Sequence, residues 1–309
     1  MMNMLAGIGW IEGNNVINFP GLGIKMDPPK GITIGSFSIY FYGVIIALGL
    51  ILAVSYAMKR SAQFGIQKDD IIDGVIWILP VSVICARLYY CIFQWSSYKD
   101  NLVKILYVWE GGLAIYGAVI GAAICVVLFA RHKKISLGAL LDLVALGFLI
   151  GQCIGRWGNF FNREAHGSAT ESFLRMSIFS SDTHTRGYYH PTFLYESLWN
   201  FVGFILLHFL SKKRKYDGQI ALGYMAWYGL GRAMIEGLRA DSLYIFKETL
   251  GEVLRVSQLV AALSCVVAVA VLVWKHFHPV KKPLFVDTLA AEVVEEETEE
   301  TEEVEETEE

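Results

Sequence analysis

Apolar residues gather in seven long runs, at about 37–58, 71–93, 112–130, 137–155, 192–210, 219–238 and 257–275, with shorter polar stretches between them. Each run is close to the ~20 residues a helix needs to cross a hydrocarbon core. The pattern predicts an all-α integral membrane protein of about seven transmembrane helices. The second and sixth runs read least cleanly, because they hold Arg87 and Arg232. Gly117 with Gly121, and Gly147, Gly151 with Gly155, have the small-xxx-small spacing that lets helices approach closely in lipid.

Basic residues orient these spans. Lys59, Arg60 and Lys68 follow the first run, and Arg131, Lys133 and Lys134 the third. Lys212, Lys213, Arg214 and Lys215 follow the fifth; Lys275, Lys281 and Lys282 follow the seventh. These stretches hold 13 of the 26 basic residues and all fall on one side, which the positive-inside bias makes cytoplasmic. Residues 1–36 then form an extracytoplasmic arm and 37–275 the membrane domain. An extracytoplasmic head loop takes about 156–191, and residues 276–309 lie inside. The N-terminus shows no basic n-region or cleavage pattern, so no removable signal peptide is expected.

Composition agrees: 54% of residues are hydrophobic and the mean hydropathy is +0.44. The net charge of −4 hides an asymmetry, since residues 292–309 hold 12 glutamates and the rest of the chain carries a net +8. Such a tail cannot bury enough apolar area to fold and is expected to be disordered. The five cysteines lie in or beside apolar runs with no CxxC spacing, as small hydrophobes.

The candidate chemistry sits at the outer ends of the spans. Arg156, Asn159, Asn162, Glu164 and Gly167 follow one another where the fourth run ends. Lipid offers such polar groups no partners, and ionisable groups at membrane depth read as a functional site. Arg232, Glu236 and Arg239 are spaced i, i+4, i+7 and share a helical face. Tyr42, Arg87 and Tyr116 fall at the same outer depth, so groups from five spans converge there. The arginines outnumber the nearby carboxylates, and an anionic lipid head group would supply the missing charge; the guanidinium fork suits phosphate. His190, before Pro191 at the entry of the fifth run, is either a general base or a brace of that entry. Tyr195 and Glu196 can brace the neighbouring arginines. There is no metal-ligand spacing, no Walker loop and no Gly-x-Ser-x-Gly elbow, no cofactor is implied, and nucleic-acid binding is not suggested.

Arg156-x-Gly158-Asn159-Phe160-x-Asn162-x-Glu164-x-x-Gly167 resembles the signature of the prolipoprotein diacylglyceryl transferases almost position for position. Tyr42-Gly43, Ala86-Arg87-Leu88 and Trp109-Glu110-Gly111-Gly112 also match, as do His190-Pro191 with Leu194-Tyr195-Glu196, and Tyr228-Gly229 with Arg232, Glu236 and Arg239. The resemblance implies a seven-span fold with an extracytoplasmic head. It implies transfer of the diacylglyceryl group of phosphatidylglycerol to the lipobox cysteine of preprolipoproteins, giving a thioether and glycerol phosphate. By the same resemblance Arg156 and Arg232 contact the lipid phosphate, and Glu164, Asn159 and Glu236 hold them. Tyr42, Arg87, Asn162, Gly167, Arg239 and His190 bind the lipid. The chain departs from the family at Tyr116-Gly117-Ala118, where the family usually shows His-Gly-Gly. A phenol is a poor base and a good hydrogen-bond donor, so the thiol-activating base stays open. A lipid-binding or transport protein with the same head-group site is the competing reading; a transporter would show inverted repeats, which this chain lacks.

Overall fold

The structure, a computed structural model, describes residues 8–11, 16–180, 185–239, 255–279, 282–292 and 294. Among the described residues seven long helices form where the apolar runs predict them: α1 (Phe41–Arg60), α2 (Lys68–Phe93), α3 (Ile115–His132), α4 (Leu137–Asn162), α5 (Thr192–Ser211), α6 (Gln219–Glu236) and α7 (Val256–Phe277). Among the described residues six helices are long and apolar enough to cross a membrane. The helix outside that set is α6, whose apolar residues are diluted by Gln219, Arg232, Glu236 and three glycines. Large apolar side chains such as Trp77, Val119, Phe209 and Leu263 stand exposed on the helices. In a bilayer that is the surface lipid covers.

Two boundaries differ from the sequence reading. Helix α4 does not stop near 155 but runs on to Asn162, so Arg156, Asn159 and Asn162 ride on its last two turns. The first helix begins at Phe41, because Phe37–Tyr40 is a strand.

Short strands are the element the helical reading missed. Strands β1 (Ile8–Ile11), β4 (Gly31–Ile34) and β5 (Phe37–Tyr40) form one antiparallel sheet in the order β1-β4-β5. Gly35 and Ser36 make the two-residue turn from β4 to β5, with Gly35 at φ +62°, the left-handed conformation such turns require. Strands β2 (Ile17–Phe19), β3 (Ile24–Met26), β6 (Met176–Ser180) and β7 (Thr185–Tyr189) form a second sheet in the order β3-β2-β6-β7. The arm and the head loop thus share one sheet, through Asn18 opposite Ser177.

The chain divides into two compact units, the first taking residues 1–56, 144–214 and 219–280 and the second 57–143, 215–218 and 281–309. In the first, Ile17, Phe19, Met176 and Ile178 from the second sheet pack with Phe160 of α4 and Phe193 of α5 as one buried core. This core fixes the end of α4 against the start of α5. Lower down, Trp199 of α5 and Trp227 of α6 stack at 4.4 Å, and each indole N–H donates to the other's backbone carbonyl at 2.9 Å. Gly203 and Gly231 leave room for the two rings; a Cβ on either would overlap the opposite indole.

In the second unit α2 and α3 pack through Gly117 and Gly121, where an added Cβ would strike Cys85. That bears out close helix approach as the role of this pair. Lys133 bridges Asp70 and Asp73 at 2.9 and 2.6 Å, and hydrogen bonds from its ammonium, to Asp73 first and then Asp70, push its pKa up. Residues 285–292 are helical, with Phe285 N–H donating to Asp217 at 3.0 Å. Phe285 and Leu289 lie against Gly65. Most of the Glu-rich stretch beyond Glu292 lies outside the described residues, as do residues 240–254 between α6 and α7.

Candidate active site

The buried core sets the geometry. Phe160 and Phe193 meet at 4.9 Å between ring centroids. Asn159 adjoins the first, and Glu196 lies one helical turn after the second, which turns Arg156 and Asn159 of α4 toward Glu196 of α5. The Trp199–Trp227 clasp likewise holds Arg232 of α6 beside α5.

Glu196 is the hub, and it is buried. Its carboxylate pairs with Arg156, with Arg232 at 3.2 Å and with Arg239 at 3.5 Å. Glu236, also buried, pairs with Arg232 at 2.6 Å and lies 3.9 Å from Arg239. Three guanidinium groups thus surround two carboxylates, leaving positive charge in excess. On the α4 side, Arg156 donates to Asn159 Oδ1 at 3.4 Å, and Asn159 Nδ2 donates to the exposed Glu164 at 2.9 Å.

The donors are unevenly used. A guanidinium has five N–H donors. Arg156 engages its two terminal nitrogens once each, on Glu196 and Asn159, while Arg232 turns one terminal nitrogen to both carboxylate oxygens of Glu196 and the other to Glu236. Arg156 thus keeps three N–H groups and Arg232 at least two without a partner among the described residues. These two arginines can still grip an anion.

Backbone strain borders Glu164. Arg163 and Ala165 both have positive φ, +58° and +54°, a conformation non-glycine residues rarely adopt. Arg163 is held there by Asp27 at 2.6 Å and the Pro28 carbonyl at 2.7 Å, and Ala165 by Thr192, whose hydroxyl donates to its carbonyl at 2.6 Å.

The other predicted positions fall into three groups. Tyr42, partly exposed, lays its ring over Gly158, where an added Cβ would stand 2.9 Å from it. Asn162 ends α4 and makes no side-chain hydrogen bond among the described residues. Gly167 bridges backbone to Arg239 and donates to the His190 carbonyl at 2.9 Å; a Cβ there would stand 2.5 Å from His190 Cβ. It is a scaffold, drawing the chain at 167, 190 and 239 together. His190 meets the Tyr195 hydroxyl at 3.3 Å, and burial pushes its imidazole pKa down, which favours the neutral ring.

Arg87 and Tyr116 belong to the second unit. Arg87 is buried, and its five N–H groups reach five backbone carbonyls: Ile105, Gly111, Gly112, Lys104 and Tyr107, at 2.5–3.2 Å. It has no donor left for a phosphate, so its expected place among the lipid-binding residues gives way to a structural one. Gly111 and Gly112, both at positive φ, turn their carbonyls toward it. Tyr116, in the first turn of α3, is about half exposed and has no hydrogen-bond partner among the described residues. No group of His, Cys, Asp and Glu side chains among the described residues is arranged to hold a metal.

Sequence reasoning gave Glu196 only a bracing role and passed over Arg255, Ser257, Trp199 and Trp227. Glu196 lies two residues beyond Leu194 in a quoted motif and was within reach. The others act across helix pairs that no spacing along the chain announces.

Long apolar helices, with buried arginine–glutamate pairs beside a small sheet in the first unit, define a multi-pass membrane protein. The family model described as prolipoprotein diacylglyceryl transferase matches residues 29–274. A phosphatidylglycerol–prolipoprotein diacylglyceryl transferase of Listeria monocytogenes serotype 4b is 41% identical over 283 residues, 90% of this chain and 100% of that protein. Proteins of the same name from Enterococcus faecalis (42% over 249 residues, 78% of this chain and 88% of that protein) and Halalkalibacterium halodurans (41% over 249 residues, 79% and 84%) are similar too. The chain belongs to the prolipoprotein diacylglyceryl transferase family and is a multi-pass protein of the bacterial cell membrane.

Proposed function

We propose that this chain transfers the diacylglyceryl group of phosphatidylglycerol to the lipobox cysteine of preprolipoproteins, the first step of bacterial lipoprotein maturation. The cysteine sulfur attacks the glyceryl carbon that carries the phosphate and forms a carbon–sulfur bond. The carbon–oxygen bond breaks, its electron pair stays on the phosphate oxygen, and glycerol phosphate leaves. The thiol proton ends on that phosphate or on solvent. A thiol with pKa ≈ 8.5 needs less help than an alcohol, so the reaction does not depend on a strong base.

The observation that carries this reading is the arginine cluster with unused donors. Arg156 and Arg232 hold the lipid phosphate and meet the charge that grows on it as the bond breaks. Glu196, Glu236 and Asn159 fix the two guanidinium groups, and Glu164 fixes Asn159. Tyr42, Asn162, Arg239 and His190 line the head-group site. The partners are phosphatidylglycerol, lipobox-bearing preprolipoproteins and the bilayer. The membrane domain over 37–275 crosses seven times, with the arm over 1–36 and the head outside and the tail over 276–309 in the cytoplasm.

The test is incubation of membranes containing the full chain with phosphatidylglycerol and a lipobox peptide, followed by detection of the thioether. Wild type should form it. Arg156→Ala and Arg232→Ala should each slow it about 100-fold, since a lost charged hydrogen bond costs up to ~3 kcal/mol. Lysine at either position should restore only part, lacking the fork. Near-wild-type turnover in both alanine variants would mean that the arginines only support the fold.

A further inference from the structure

The stretch that opens α7 clamps the last turn of α6 at three points. Arg255 donates to the main-chain carbonyl of Glu236. Gln258 Nε2 donates to the Ala233 carbonyl at 2.8 Å. Ser257 reaches a side chain: its hydroxyl donates to Glu236 Oε1 at 2.6 Å. The other carboxylate oxygen, Oε2, pairs with Arg232 at 2.6 Å.

We infer that Ser257 is a positioning residue of the transfer reaction, acting on Arg232 through Glu236; this rests on the function proposed above. The last torsion of a glutamate is broad and nearly two-fold, so a carboxylate held at one oxygen only can turn. Ser257 fixes that torsion and aims Oε2 at Arg232. As the second residue of α7, Ser257 also brings Glu236 to the N-terminal turn of that helix. Glu236 is 2% exposed, so water offers little to replace a lost hydroxyl. Gln258 grips backbone and leaves the carboxylate's orientation alone.

The transfer assay separates the two kinds of contact. Ser257→Ala should lower kcat roughly 3- to 10-fold, the equivalent of one hydrogen bond, with the KM for phosphatidylglycerol changed less than about 2-fold. Ser257→Thr, which keeps the hydroxyl, should restore kcat. Gln258→Ala, which removes a contact between the same two helices, should leave kcat within about 2-fold of wild type. Should Ser257→Ala fail to accumulate, Ser257→Cys carries the measurement, its weaker donor giving a fall in the same direction. An unchanged kcat in the Ser257 variants, a failure of threonine to rescue, or an equal fall in Gln258→Ala would overturn the inference. Wild-type membranes that form no thioether overturn both this and the proposed function; an active wild type beside an indifferent Ser257→Ala overturns only this.

Discussion

An arginine in an apolar helix is tolerated in one of two ways, and the chain uses both. Arg87 gives all five N–H groups to backbone carbonyls, while Arg156 keeps three and Arg232 at least two unused among the described residues. The sequence could not separate them, because the carbonyls that saturate Arg87 come from 17 to 25 residues away. Arg87→Lys should therefore lower the melting temperature, a lysine offering three donors to five acceptors, and leave the KM for phosphatidylglycerol unchanged. A raised KM at an unchanged melting temperature would put Arg87 back on the phosphate. Tyr116 poses the converse question, being partly exposed and without a hydrogen-bond partner among the described residues. If its phenol only donates a hydrogen bond to substrate, Tyr116→Phe should cost about 0.5–1.5 kcal/mol, a roughly 2- to 13-fold loss of rate. Loss of a general base would be nearer 10²–10⁴-fold, and a folded, lipid-binding Phe variant slowed that far would make the phenol the base.

At the scale of elements, helices were legible and strands were not. Seven apolar runs give seven helices because long periods of apolar residues leave few alternatives in lipid. Strands of three to five residues, set in glycine- and proline-bearing stretches, carry little periodicity to detect. The turn at Gly35-Ser36 between Ile34 and Phe37 was a visible hairpin signal, but the apolar run beginning at Phe37 reads as the start of a helix. The arginine–asparagine motif was legible as a site; that it stays helical to Asn162 was not, since the Phe160–Phe193 contact that holds it is long-range. Gly167 shows what the glycines of that motif do. A Cβ there would press on His190 Cβ at 2.5 Å and the Leu238 carbonyl at 2.8 Å, so Gly167→Ala should destabilise by about 1–3 kcal/mol, as overpacking does. It should also lower transfer, by moving Arg239. Gly43→Ala, where nothing lies within 4 Å, should melt like wild type. Equal melting temperatures and activities for the two variants would remove the scaffold role of Gly167.

Across the whole molecule, charge and span count must agree on one topology. The basic stretches after the first, third, fifth and seventh helices fall on one side only if α6 crosses, although its composition is the least apolar of the seven. Its 18 residues reach about 27 Å at 1.5 Å per residue, close to the ~30 Å of a hydrocarbon core. Its costly groups are already paired: Arg232 with Glu196 and Glu236, inside the protein and not toward lipid. A seventh crossing is therefore affordable where hydropathy alone would reject it, and an odd number of crossings puts the two termini on opposite sides. Single cysteines introduced at Ser168, Lys213 and Thr288 of a variant lacking its native cysteines should answer an impermeant thiol reagent in one pattern. Ser168 should react from outside intact cells, while Lys213 and Thr288 should react only after the membrane is opened. Labelling of Thr288 from outside, with Lys213 still protected, would mean that α6 does not cross. Labelling of Lys213 with Ser168 protected would invert the protein and move the arginine site to the cytoplasmic leaflet.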